Sequence, residues 1–220
     1  MKKQNKISFY IGMGLLILFV VWTIAINFVD VRAIGPRESS VGFATLNQYV
    51  HDITGVHMPL YTVTDWLGLV PFCFIIGFGI LGLAQWIKRK SLLKVDYSIL
   101  ALGVFYIVVL IAFAFFETFV VNYRPILING VLEASYPSST TMLVTCVMPT
   151  AFFQFNARIK SNTVKLCISL VIGVFTAFMV IGRLISGIHW FSDIIGGGLI
   201  SSGLVMIYYS VGTIERKQKY

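Results

Sequence analysis

The fragment Gly182-Arg-Leu-Ile-Ser-Gly-Ile-His-Trp-Phe-Ser-Asp193 carries three chemically able side chains in the spacing Arg-x5-His-x3-Asp. In a chain that is 57% hydrophobic and only 12% charged, such a cluster needs a reason. His189 and Asp193 are four residues apart, a spacing that stacks them on one face of a helix. A carboxylate so placed accepts a proton from one imidazole nitrogen, fixes the tautomer and leaves the other nitrogen free to attack. Arg183 adds a planar, permanently charged fork that matches phosphate. Together they point to phosphoryl chemistry carried by a histidine, with His189 and Asp193 as the candidate catalytic residues. Taken singly, each has a plainer reading. Arg183 can be an anchor that snorkels to headgroups, Asp193 a solvated charge at a helix start, and His189 an interfacial neighbour of Trp190.

The elements that must position these groups are membrane helices. A mean hydropathy of +0.86 excludes an ordinary soluble domain. Six stretches are long enough to span, roughly Ile7–Val29, Trp66–Ile87, Tyr97–Val120, Ser138–Phe155, Val164–Gly182 and Trp190–Val211. The fourth is the least apolar, being interrupted by Thr140, Thr141, Thr145, Thr150 and Pro149, which predicts a kink. The first follows Lys2, Lys3 and Lys6 and reads as an uncleaved signal anchor. The expected fold is all-α and integral to the membrane, with six transmembrane helices in a single domain over residues 1–220 and a motif-bearing core at 117–193.

Charge placement sets the expected orientation. With the N-terminus inside, the inner segments hold Lys2, Lys3, Lys6, Lys88, Arg89, Lys90, Lys94, Arg158, Lys160, Lys165, Arg216, Lys217 and Lys219. The outer side keeps Arg32, Arg37, Arg124 and Arg183. Both termini are therefore expected in the cytoplasm and the motifs on the extracytoplasmic side of the cell membrane. The net charge of +8 then reflects topology and attraction to anionic lipid, and no basic patch with interleaved aromatics suggests nucleic acid. Cys73, Cys146 and Cys167 lack metal-ligand spacing and read as buried apolar thiols, so neither a metal nor a cofactor is expected.

In the long outer segment, about Asp30–Asp65, the spacing of Val41, Phe43, Leu46 and Val50 predicts a helix lying along the interface. Gly55 and Pro59 then break it, and His51 and His57 read as solvated loop residues. Three motifs converge on the outer face: Asn122-Tyr-Arg-Pro125, Tyr136-Pro-Ser-Ser-Thr-Thr141 and the Arg183/His189/Asp193 set.

This pattern resembles the phosphatidic acid phosphatase type 2 / haloperoxidase superfamily, whose motifs are Lys-x6-Arg-Pro, Pro-Ser-Gly-His and Ser-Arg-x5-His-x3-Asp. The resemblance implies a metal-independent, multi-pass lipid phosphatase working through a phosphohistidine. His189 would be the nucleophile and Asp193 its orienter. Arg124 and Arg183 would clamp the phosphate oxygens, with Ser138, Ser139 and the first backbone N–H groups of the fourth helix completing the cradle.

Four positions depart from the motifs: Glu117 stands for the Lys, Ser139 for the Gly, Gly182 for the Ser, and Thr140 for the His that acts in the family as general acid. Thr140 thus enters the substrate-binding set without acid function. An alkoxide leaving group comes from an alcohol about as weakly acidic as water, so it departs poorly without a proton. A phosphate leaving group, with a second pKa of about 6, departs without help. The expected substrate is an anionic lipid such as a phosphatidate or a polyprenyl diphosphate, with the diphosphate favoured by the loss of the acid. Two alternatives stay open: a lipid phosphotransferase, and a binding or transport protein that keeps the clamp without turnover.

Overall fold

The computed structural model describes residues 3–212; Lys2, Arg216, Lys217 and Lys219, and the side chain of Lys3, lie outside the described residues. The described residues form eight α-helices: α1 (Lys3–Ile26), α2 (Ala44–Thr54), α3 (Met58–Leu67), α4 (Val70–Arg89), α5 (Tyr97–Thr118), α6 (Ser139–Arg158), α7 (Asn162–Ile185) and α8 (Phe191–Gly212). Extended pairing among them is confined to isolated bridges in the loops, Arg32 with Val41, Tyr123 with Ala134 and Ile128 with Val131.

Five helical runs are long and apolar enough to cross a membrane: Gln4–Ile26, Met58–Arg89, Tyr97–Thr118, Asn162–Ile185 and Phe191–Val211. A 24-residue helix such as α7 is about 36 Å long, more than a ~30 Å hydrocarbon core needs. The remaining long helix, α6, has 20 residues and runs unbroken through Pro149. Its modest hydropathy follows from its position. Thr140, Thr141, Met142, Leu143 and Val144 are all buried in succession, so the first half of α6 is enclosed by its neighbours. An enclosed helix can carry threonines, because each hydroxyl finds a carbonyl one turn back, as Thr150 does at Cys146 O, 2.9 Å away. By contrast Leu166, Leu170, Val171 and Val174 of α7 are exposed, as lipid-facing residues must be.

α8 packs along α1 and against α6, and α6 also packs on α7. The main core joins Phe19 of α1, Leu102 and Val109 of α5, Val147 of α6 and Tyr208 of α8. At one end of the bundle Arg89 and Arg158 both approach Asp96, at 2.9 and 3.9 Å. The N-terminal ends of α6 and α8 and the C-terminal end of α7 meet at the opposite end, together with α2, α3 and the two long loops. Arg37 of the first loop donates to Gly130 O of the second, tying them together.

The sequence reading needs three corrections here. The helix expected from the Val41 spacing begins at Ala44, and Val41 instead pairs with Arg32 in the preceding loop, fully buried. Pro59 does not break the chain before a single span: it occupies the first turn of α3, where its missing N–H costs nothing. Of the cysteines only Cys146 is buried; Cys73 and Cys167 lie on the outside of the bundle, and all three are free thiols.

Candidate active site

His189 does not sit on a helix. Ser186, Gly187 and Ile188 turn the chain out of α7, and Gly187 takes the left-handed φ of +69° that this turn demands. A Cβ at Gly187 would fall 1.8 Å from Gly55 O, so the turn also needs the bare backbone for the chain to pass. His51 of α2 props it from outside, its Nε2 lying 3.1 Å from Gly187 O and its ring beside Trp190. His57 bonds its own neighbour Thr54 O at 2.8 Å. Neither is the solvated loop residue that the sequence suggests: His51 lies on α2, His57 is the N-cap residue of α3, and both have structural partners.

Asp193 lies in the first turn of α8 and accepts from the N–H of Trp190 at 2.8 Å, the backward bond that the third helical residue makes in a capping box. Its carboxylate is fully buried and also takes the hydroxyl of Ser135 at 2.5 Å and the amide of Asn122 at 3.4 Å. Because His189 precedes the helix, the expected stacked contact is long: His189 Nδ1 stands 3.9 Å from Asp193 Oδ2. Ser135 fills the gap, with Oγ 3.1 Å from His189 Nδ1. With its proton committed to Asp193, Ser135 accepts from Nδ1–H. The chain Asp193, Ser135, His189 thus fixes the tautomer that leaves a lone pair on Nε2. The sequence reading missed Ser135, which belongs to none of the three motifs. Its one signal was adjacency to Tyr136-Pro137.

Nε2 of His189 is buried without a protein partner, and so are Nη1 of Arg124 and Nε of Arg183. Burial first, then the charges of Arg124 and Arg183, hold the imidazole pKa well below its ordinary 6.5. The ring is therefore neutral at pH 7, as a nucleophile must be.

Both arginines lie beside Tyr61 of α3, whose ring centroid is 6.0 Å from Arg124 Cζ and 5.1 Å from Arg183 Cζ. Arg124 pairs through Nε with Glu133 at 3.2 Å and with Ala134 O at 3.3 Å. Arg183, only 2% exposed, gives Nη2 to Thr140 Oγ1 at 2.6 Å and to Asp65 at 3.1 Å. Thr64 receives Nη1 at 3.5 Å. The helix α3 seats this closely because residue 182 is glycine: a Cβ there would lie 2.8 Å from Thr64 Cγ2.

The structure brings His189, Asp193, Arg124, Arg183 and Thr140 together. Ser138 is the buried N-cap of α6: its backbone N–H goes to Asp193 O at 3.1 Å and its hydroxyl accepts from Thr141 N at 3.5 Å. It thereby ties α6 to α8. Ser139 lines a small crevice with Phe113, Phe116 and Glu117, and Ser135 of the relay borders the same crevice. Glu117, exposed at the end of α5, lies in that crevice too. Among the described residues no group of three His, Cys, Asp or Glu is placed to hold a metal ion.

One buried nucleophilic nitrogen with two guanidinium N–H donors beside it can receive a phosphoryl group. No curated protein sequence matches the chain. Among solved structures, the fold is similar to that of the transmembrane PAP2 type phosphatidylglycerolphosphate phosphatase of Bacillus subtilis. The TM-score is 0.60 at 18% identity, over 95% of this chain and 98% of that one. The family profile of the PAP2 superfamily matches residues 72–217, which include His189, Asp193, Arg124 and Arg183. The chain belongs to the PAP2 superfamily.

Proposed function

We propose that the protein is a multi-pass membrane phosphatase that removes a phosphate from an anionic lipid through a phosphohistidine at His189. The observation that carries this reading is the set of three buried, unpartnered polar atoms: His189 Nε2, Arg124 Nη1 and Arg183 Nε. A buried polar atom without a partner costs roughly 1–3 kcal/mol, and more where charge is involved, a cost that a bound phosphoryl group offsets. In this reading Nε2 attacks phosphorus while the arginines hold the equatorial oxygens, where charge gathers in the transition state. The imidazole turns cationic as the N–P bond forms, and Asp193 stabilises it through Ser135. Ser138 acts by joining α6 to α8. Membership of the PAP2 superfamily and the fold shared with a phosphatidylglycerolphosphate phosphatase support the reaction class.

In the same proposal α6 is the sixth span, both termini are cytoplasmic and the site opens to the outer leaflet. Lys88, Arg89, Lys90 and Lys94, on the far side of the bundle from the site, support that orientation. The substrate class is a lipid mono- or diphosphate. The test is phosphate release by purified protein from phosphatidate, phosphatidylglycerol phosphate and a polyprenyl diphosphate in detergent, with and without EDTA. Release that survives EDTA and disappears in His189→Ala is expected. Release that needs a metal, or persists in His189→Ala, contradicts the proposal.

A further inference from the structure

We propose that Asp65 of α3 is the catalytic residue that protonates the departing lipid oxygen. This rests on the phosphatase reading above and names a residue outside the three motifs. An alkoxide is a poor leaving group, so cleaving a lipid monophosphate requires a proton donor beside the scissile oxygen. At the clamp, the Thr140 hydroxyl is too weak an acid and is held by Arg183 Nη2 at 2.6 Å. The carboxyl of Asp65 is bonded to that same nitrogen at 3.1 Å, so it stands where Thr140 cannot serve. Its side chain is 56% exposed while Arg183 is 2% exposed, so Asp65 can exchange protons with water at the edge of a buried clamp.

The packing of α3 supports this independently. Gly182 and Thr140 are two of the positions where the chain departs from the motifs it resembles, and both face α3. Gly182 makes room for Thr64, and a Cβ on Gly68, just beyond the end of α3, would stand 3.5 Å from Thr140 Cγ2. Tyr61 and Asp65, four residues apart, present one face of α3 to Arg183. The small residues at 140 and 182 thus admit a helix that brings a carboxyl to the clamp.

The step balances as follows. A phosphate entering the clamp competes with Asp65 for Arg183 Nη2 and so frees the carboxyl from that ion pair. The lone pair of His189 Nε2 bonds to phosphorus as the bond from phosphorus to the lipid oxygen breaks. That oxygen takes the proton of the Asp65 carboxyl and leaves as the alcohol. Water then attacks phosphorus, the P–N bond breaks, and the Asp65 carboxylate accepts the proton of the attacking water. With a donor on α3, the threonine at 140 does not by itself restrict the enzyme to diphosphates.

The experiment compares two monoesters, phosphatidate and p-nitrophenyl phosphate, whose nitrophenolate departs unprotonated. Both are measured on wild type, Asp65→Asn and Glu133→Gln in detergent, with thermal unfolding as a check on folding. In Asp65→Asn the ratio of aryl to lipid turnover should rise by about 10²–10⁴, the usual worth of a general acid. Glu133→Gln should leave that ratio unchanged. An equal loss on both substrates would overturn the proposal and leave Asp65 as a support for Arg183. A ratio change in Glu133→Gln alone would move the role to Glu133, and full lipid turnover in Asp65→Asn would also overturn it. A folded wild type inert towards both monoesters and towards diphosphate lipids would sink the phosphatase reading itself, and this assignment with it.

Discussion

Replacing Ser135 with alanine tests the relay that substitutes for a direct His–Asp contact. The change removes one hydroxyl that donates to the buried carboxylate of Asp193 at 2.5 Å and accepts from His189 Nδ1 at 3.1 Å. Left behind is a 3.9 Å gap, too long for a hydrogen bond. Hydrogen bonds to charged groups are worth about 1.5–3 kcal/mol net. The relay matters most once the imidazole is cationic, in the transition state, so the loss should fall on kcat and leave KM nearly unchanged. At about 1.4 kcal/mol per factor of ten, kcat should drop by about 10- to 150-fold. Asp193→Asn should cost more, about 10⁴, because an amide can hold the wrong tautomer. The assay is lipid phosphate release across substrate concentration, with Ser135→Thr as the variant that restores a hydroxyl. Alanine turnover within twofold of wild type, alongside a crippled Asp193→Asn, would refute the relay and show that the carboxylate closes the gap unaided.

Three further outcomes follow from the geometry. Arg124 helps to hold the His189 pKa below 6.5, and the protonated ring cannot attack. The acid limb of kcat/KM should therefore lie well below pH 6.5 and move to higher pH in Arg124→Gln; a pH profile with an unmoved limb contradicts this. Gly187→Ala sets a Cβ 1.8 Å from Gly55 O at a φ of +69° and should lower the Tm measured in detergent. The left-handed strain alone costs about 1–2 kcal/mol, and the overlap adds to it; an unchanged Tm would show that the turn can relax. In cells expressing a cysteine-free background, an impermeant thiol reagent should label Val131→Cys and spare Leu93→Cys, both exposed positions on opposite ends of the bundle; the reverse pattern overturns the outer-face orientation.

What was legible in the sequence was whatever had a strong period or a charged motif. The long apolar runs marked the helices α1, α4, α5, α7 and α8, and the Arg-x5-His-x3-Asp spacing marked the site. The outlines blurred where tertiary packing overrides local signals. The helix α3 was hidden because Pro59 reads as a breaker unless its place in the first turn is known. With α3 went Tyr61, Thr64 and Asp65, none of which has a motif of its own. Ser135 was invisible for another reason: its role exists only because His189 stands ahead of α8 rather than on it, a displacement set by the turn at Gly187. The low hydropathy of α6 was legible, but its cause, enclosure by neighbouring helices, was not.

The most direct measurement of the central claim is capture of the covalent intermediate. Purified protein is mixed briefly with a lipid radiolabelled in its terminal phosphate, quenched in alkaline denaturant and mapped by peptide mass. The account predicts label on the peptide containing His189, lost on acidification, absent from His189→Ala and longer-lived when breakdown by water is slowed. Turnover of the lipid with no label at His189 at any quench time, in a protein whose His189→Ala variant still releases phosphate, would contradict it.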